Sequence, residues 1–260
     1  MVKKKPGFEE AFANAGVKPP NAATRAQKKN YAEALSRQIA RVFADQLRVR
    51  YKGILPDAEG KGQESRARTS KGFKKLDVNY STIDLGLALG ISIKTINYAD
   101  AASKRFTKNY SRNENELRAE ATDYHKRQPW AVLIAIIFLP MSSCDDGNSA
   151  AKGEQGASSF GSAARFFRNI AGRQRTDGPL DQFEKVFIAL HDDQQRVVFF
   201  DVEKNPPKAR RPRTDETLTF EKLIDAIEAT YDERNSPPFK WADDDTPVTE
   251  PLDLPDEPED

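Results

Sequence analysis

Between Thr24 and Val49 the apolar residues Tyr31, Leu35, Ile39, Val42, Phe43 and Leu47 recur mostly three or four apart, with Arg and Lys between them. That spacing predicts an amphipathic helix with a basic outer face over about residues 24–50. Residues 1–23 are rich in Lys, Pro, Gly and Ala and read as a flexible basic arm, with a short helical piece at Phe8–Ala15 and little core. The polar span from Pro56 to Lys71, with Gly60 and Gly62, reads as a loop.

The period then changes. In Phe73–Tyr80, Leu76, Val78 and Tyr80 alternate with Lys75, Asp77 and Asn79, the pattern of a half-buried strand. A turn around Ser81–Asp84 leads to Leu87–Ile96, a more buried strand, and the two predict a hairpin. A helix is expected from about Asn113 to Arg127, ended by Gln128-Pro129 because the residue before proline avoids the helical region. Trp130–Leu139 is a continuous apolar run closed by Pro140, as in a strand covered on both faces. Cys144–Ser159 is Asp-, Gly-, Ser- and Ala-rich and predicts a mobile loop. Phe160–Ala171 reads as a helix with Phe160, Ala164, Phe167 and Ala171 on one side, Phe183–Leu190 and Arg196–Val202 as a hairpin, and Thr219 as the cap of a last helix reaching about Asp232. Residues 236–260, acidic and proline-bearing, read as a disordered tail. The order of elements predicts an α/β fold, a mixed central sheet with flanking helices, in a single domain over residues 24–235.

Composition narrows the function. The longest uncharged apolar run has ten residues, Trp130–Leu139, where a membrane-spanning helix needs about 20. No apolar signal segment opens the chain, which predicts a cytoplasmic protein with no membrane partner. The lone Cys144 and the two histidines, His125 and His191, exclude an intrachain disulfide and offer no zinc site. His125 is expected to pack at its helix end with Gln128, and His191 to be solvated in a turn. No glycine-rich phosphate loop supports ATP use. The net charge of +1 conceals a division: residues 241–260 carry nine acids and no base, and the rest carries 41 Lys and Arg against 31 Asp and Glu, or +10. A body of that charge points to a polyanionic partner, nucleic acid first.

Asp77 falls on the polar side of its predicted strand, while Ser92 and Lys94, two apart, share a face of the next. A hairpin brings Asp77 and Lys94 together. A carboxylate beside such a lysine suits phosphodiester hydrolysis: the carboxylate holds a hard divalent cation, and the lysine positions the attacking water and offsets phosphate charge. A second carboxylate is needed, and the next helix offers two. At 100° per residue, Leu117, Ala121, Tyr124 and Gln128 share a sheet-facing sector. Glu120 lies on its flank and Glu116 farther round, so Glu120 is the preferred ligand. Two glutamates four apart repel, so a cation is expected between them, either a metal or Arg112.

Asp77, fourteen intervening residues, Ser92-Ile93-Lys94, and glutamates on the following helix resemble the PD-(D/E)xK nuclease superfamily, to which many restriction endonucleases belong. Leu76 stands where the superfamily has proline, and Ser92 where it has an acid. Some restriction enzymes of that superfamily carry such a serine and take the missing carboxylate from the next helix, which Glu116 or Glu120 matches. The stretch from Asn109 to Pro140 also resembles bacterial restriction-endonuclease-like proteins, and in all the resemblance spans roughly residues 70–140. It implies a restriction-endonuclease-like fold with its catalytic core over residues 70–140, and a Mg²⁺-dependent DNA endonuclease, Mn²⁺ also serving, in bacterial restriction or anti-phage defence. Cleavage would leave 5′-phosphate and 3′-hydroxyl ends. Asp77 with Glu120 or Glu116 would hold the metal, Lys94 would position the water, and Ser92 would have no metal role. The basic residues Lys61, Arg66, Arg68, Lys71, Lys74, Lys75, Lys104, Arg105 and Lys108 flank this site in sequence and as a group fit contact with the phosphate backbone. Cutting both strands of a duplex implies a homodimer or a defence-system partner protein by analogy. The alternative is a non-catalytic DNA-binding or assembly subunit on the same fold, and RNA stays open as the substrate.

Overall fold

A computed structural model describes residues 7–82, 86–147 and 156–235. Its centre is β5 (Val132–Pro140), all nine residues of which are buried. β5 lies between β4 (Gly86–Thr95) and β6 (Lys185–His191) and is parallel to both. β3 (Val78–Thr82) and β7 (Val197–Asp201) close the two edges antiparallel, in the order β3-β4-β5-β6-β7. Each parallel step needs a crossover, supplied by α3 (Tyr110–His125) and α4 (Ser159–Phe167). The chain is thus mixed α/β, a five-stranded mixed sheet with helices on both faces.

Helices α1 (Phe8–Asn14), α2 (Arg25–Leu47) and α5 (Phe220–Arg234) cover one face. Leu35, Ile39, Phe43 and Leu47 of α2 pack there with Ile91, Ile134 and Phe138. α3 and α4 cover the other face, where Leu117, Ala121 and Phe167 meet Leu133, Ala135 and Ile137. Alternation along β5 sends odd and even residues to opposite layers, so a strand with no polar position is what this sandwich requires. Thr24 starts α2 with a capping box: it accepts the Gln27 N–H at 3.3 Å, and Gln27 Oε1 accepts the Thr24 N–H at 3.0 Å. Thr219 caps α5 through the Lys222 N–H at 3.4 Å. Among the described residues no helix is long and apolar enough to cross a membrane.

Four sequence expectations are corrected. The loop expected over Pro56–Lys71 contains β1 (Ser65–Thr69), which pairs with β2 (Gly72–Leu76) in a separate hairpin. The buried positions of β1 are Ala67 and Thr69, too weakly apolar to announce a strand between two arginines. The single strand expected over Phe73–Tyr80 is broken at Asp77 into β2 and β3. Gly90 permits this arrangement: a Cβ there would stand 2.9 Å from Leu76 Cδ1 and 3.0 Å from Leu133 Cδ2, so the missing side chain is the space into which Leu76 settles. The N-terminal stretch contributes core. Phe8 sits 4.9–6.0 Å, centroid to centroid, from Phe220, Phe199, Phe43 and Phe138, and Phe12 is buried. His191, expected in solvent, stacks on Phe12 at 4.9 Å.

Residues 1–6, the turn at 83–85, residues 148–155 and the acidic segment 236–260 lie outside the described residues. The mobile loop predicted over Cys144–Ser159 is therefore described only at its ends, where Cys144, Ser158 and Ser159 are buried and Asp146 accepts the Ser159 N–H at 2.6 Å.

Candidate active site

The β3–β4 ladder runs from Thr82↔Gly86 to Val78↔Ile91 and stops. One more pair would set Asp77 across from Ser92. Instead Asp77 turns its side chain to β4 and accepts the Ile93 N–H on Oδ2 at 2.7 Å, taking the place of a backbone carbonyl. Its other oxygen, Oδ1, accepts from Ser36 Oγ of α2 at 3.4 Å. Two residues along β4, Lys94 continues the Ser92 side of the strand, and its side chain remains 24% exposed. Ser92 and Lys94 lie in the second half of β4, where they pair with Ala135 and Ile137 of β5.

α3 turns Glu120 and Glu116 toward this part of β4. Ser92 Oγ donates to Glu120 Oε1 in a short hydrogen bond. Glu116, one turn earlier, stands at the rim: it accepts from Arg112 Nε at 2.8 Å and from Lys94 Nζ at 3.5 Å. Asp77, Ser92, Lys94 and Glu120 therefore converge, with Glu116 bridging Lys94 to Arg112. The cation expected between the two glutamates is met at Glu116 by these two side chains.

Electrostatics separates the three acids. Burial raises the Asp77 pKa to about 6, against the Ile93 N–H, Lys94 and Ser36, which favour the ionised form. Burial also raises Glu120; Lys94 and the Ser92 hydroxyl oppose the shift, and the charge of Asp77 adds to it. Glu116 is lowered, because Arg112 and Lys94 outweigh its burial. Asp77 and Glu120 are thus two mutually repelling carboxylates with one lysine between them, short of positive charge. Among the described residues no group of three or more His, Cys, Asp or Glu forms a metal cage. The pair fits a different type of site, in which one or two carboxylates hold Mg²⁺ and water and substrate phosphate complete its shell.

The basic residues named from sequence divide by environment. Lys74 and Lys71 pair with Asp123 at 2.5 and 3.6 Å, and Lys74 holds the Asp123 pKa down. Lys75 pairs with Glu64 at 2.6 Å, Lys108 with Asp100 at 2.9 Å, and Arg105 donates to the Ala157 carbonyl at 2.5 Å. Lys61 and Lys104 are exposed in loops. Arg66 and Arg68 are exposed on one face of β1, and no ion pair engages either of them among the described residues. Ser36 and Glu64, which border Asp77, carry no local signal, since Ser36 meets Asp77 from 41 residues away. His125 is buried near Glu184 rather than at this site.

No protein-family model, curated protein or solved structure matches this chain. Its functional reading rests on its own residues.

Proposed function

We propose that the chain is a Mg²⁺-dependent DNA endonuclease with a restriction-endonuclease-like core, acting in bacterial restriction or anti-phage defence. The observation that carries this reading is the convergence of Asp77 between β2 and β3, Lys94 on β4 and Glu120 on α3, with both carboxylates pushed toward the neutral form by burial. Such a pair is costly for stability alone and suits a divalent cation. The cation, when bound, supplies Lewis-acid polarisation of the phosphate and acidifies a water.

The chain's own residues prepare the site. The Ile93 N–H fixes the rotamer of Asp77, and the Ser92 hydroxyl fixes that of Glu120, so both acids are held in place before any ligand arrives. Lys94 offers an ammonium to the developing negative charge or to the attacking water, tethered at the rim by Glu116. Ser92 orients a ligand without being one.

The test is nicking of supercoiled plasmid with Mg²⁺ or Mn²⁺, alongside DNA binding measured in chelator. The wild-type chain should cut, and Lys94→Ala should bind DNA almost unchanged and not cut. Cutting by Lys94→Ala would overturn the assignment. Binding without cutting under any metal would favour a non-catalytic DNA-binding subunit.

A further inference from the structure

At the other end of β4 from Lys94 lies a cleft of about 620 Å³, within the usual range for small-ligand sites. Arg66 and Arg68 of β1, Phe73 of β2, Arg127 after α3 and Trp130 before β5 line it. Its cationic wall follows from strand alternation: Arg66 and Arg68 are two apart, with buried Ala67 between them. The hairpin register sets Phe73 directly across from Arg68, and the guanidinium lies 5.6 Å from the ring centroid. Phe73 is 60% exposed, an unusual place for a large aromatic side chain. Among the described residues no carboxylate lines the cleft and no ion pair engages any of its three arginines. The other basic side chains flanking the hairpin, Lys71, Lys74 and Lys75, are all paired. Gly86 shapes the floor: it has φ +71°, and a Cβ there would stand 1.7 Å from Gln128 Nε2.

Three guanidiniums with no ion pair among the described residues, beside an exposed aromatic ring, match one ligand chemistry, a base that stacks and a phosphate that takes bidentate hydrogen bonds. Paired bases in a duplex present no face to such a ring. We propose that this cleft binds one unpaired nucleotide, with its base on Phe73 and its phosphate held by Arg66, Arg68 and Arg127. The source is a single-stranded or extruded unit of the nucleic acid cut at Asp77 and Lys94, and to that extent the proposal rests on the nuclease reading. β4 separates Leu87 from Lys94 by roughly 20 Å at strand rise, on the order of six nucleotides of a stacked strand. The cleft is thus a subsite that selects where cutting occurs.

The test measures binding by the full chain in chelator at one fixed low salt concentration, by fluorescence anisotropy with a single-stranded oligonucleotide and a duplex of the same length. Phe73→Ala should weaken single-strand binding roughly tenfold and duplex binding by less than about threefold, and Phe73→Trp should restore it. Arg68→Lys should weaken it too, since a lysine keeps the charge and loses the planar fork. Phe73 is exposed, so the variants should keep the thermal midpoint, which is measured first. Single-strand affinity unchanged in Phe73→Ala, or an equal loss for both DNAs, would overturn the proposal. Adenosine monophosphate is added as competitor: competition that Phe73→Ala abolishes supports the same chemistry with a free nucleotide as its source, and competition that survives this change overturns the cleft. Because no metal is present, a protein that never cuts but shows the Phe73 effect retains the cleft and loses the nuclease reading.

Discussion

Asp77 Oδ2 accepts the Ile93 backbone N–H at 2.7 Å, so a side chain completes the β3–β4 ladder where it would otherwise end. The carboxylate therefore has a structural duty and a chemical one, and substitutions separate them. Asn keeps an acceptor oxygen of the same reach; Ala leaves the N–H of buried Ile93 without this partner, at a cost of about 1–3 kcal/mol. Burial raises the Asp77 pKa to about 6 from its ordinary 3.8, so on this account stability falls as pH rises from about 4 to about 6 and the loss is complete above that. Urea unfolding at about pH 8 should find Asp77→Asn at least as stable as wild type and Asp77→Ala clearly less stable. Both should fail to nick plasmid.

The two glutamates of α3 are expected to part company. Glu120→Gln removes the charge facing Asp77 and should reduce cleavage by at least about a hundredfold, more than the loss usual for a supporting residue. It should also abolish the rise in thermal midpoint that Mg²⁺ gives the wild type. Glu116→Gln removes only a rim partner of Arg112 and Lys94 and should leave cleavage within about tenfold. Equal losses from the two would mean that Glu116 is a ligand as well.

The sheet-facing sector of α3, Leu117, Ala121 and Tyr124, was legible because a helix of that length repeats its pattern several times, and from it followed the placement of Glu120 inward of Glu116. The uninterrupted apolar run of β5 was legible for a similar reason. The β1–β2 hairpin was not, because its inward positions Ala67 and Thr69 are small, and the seating of Leu76 beside Gly90 is a contact between residues distant in sequence. The docking of Phe8 and Phe12 was equally hidden, since about two turns of helix is too short for a periodicity to stand out. At the site, residue types and spacing indicated Asp77, Ser92 and Lys94. The break at Asp77, and the approach of Ser36 and Glu64, depend on the tertiary fold alone.

His191 provides a pH test of the N-terminal docking. It stacks on Phe12, and burial, helped by the charge of Lys18, lowers its pKa to about 4 against the pull of Asp192 and Asp193. The folded state holds the imidazole neutral while the unfolded chain protonates it near pH 6.5, so its contribution is complete above that pH and is lost as pH falls toward 4. The loss is on the order of 3 kcal/mol. Urea midpoints of wild type and His191→Gln should therefore converge, or cross in favour of the variant, between about pH 7 and pH 4.5. A constant gap between them would show that the imidazole is solvated in the folded chain.

Glu184, at the entry to β6, carries the largest expected effect on stability. Its Oε1 accepts from Arg173 at 2.9 Å and forms an ion pair with Arg234 at 2.8 Å, its Oε2 accepts the Leu133 N–H at 2.6 Å, and His125 Nε2 lies 3.5 Å away. One carboxylate thus ties the end of α3, the start of β5 and the end of α5, with all four side chains nearly inaccessible. Glu184→Gln leaves two buried guanidiniums facing a neutral amide, which should cost about 3–5 kcal/mol and lower the thermal midpoint by roughly 10 °C. Replacing Glu184, Arg173 and Arg234 together by Leu, Met and Met should recover most of that loss, because an apolar cluster of similar volume needs no counter-charge. A triple variant as unstable as Glu184→Gln would mean that the hydrogen bonds to Leu133 and to the Pro129 and Thr176 carbonyls, rather than charge balance, hold this corner of the fold.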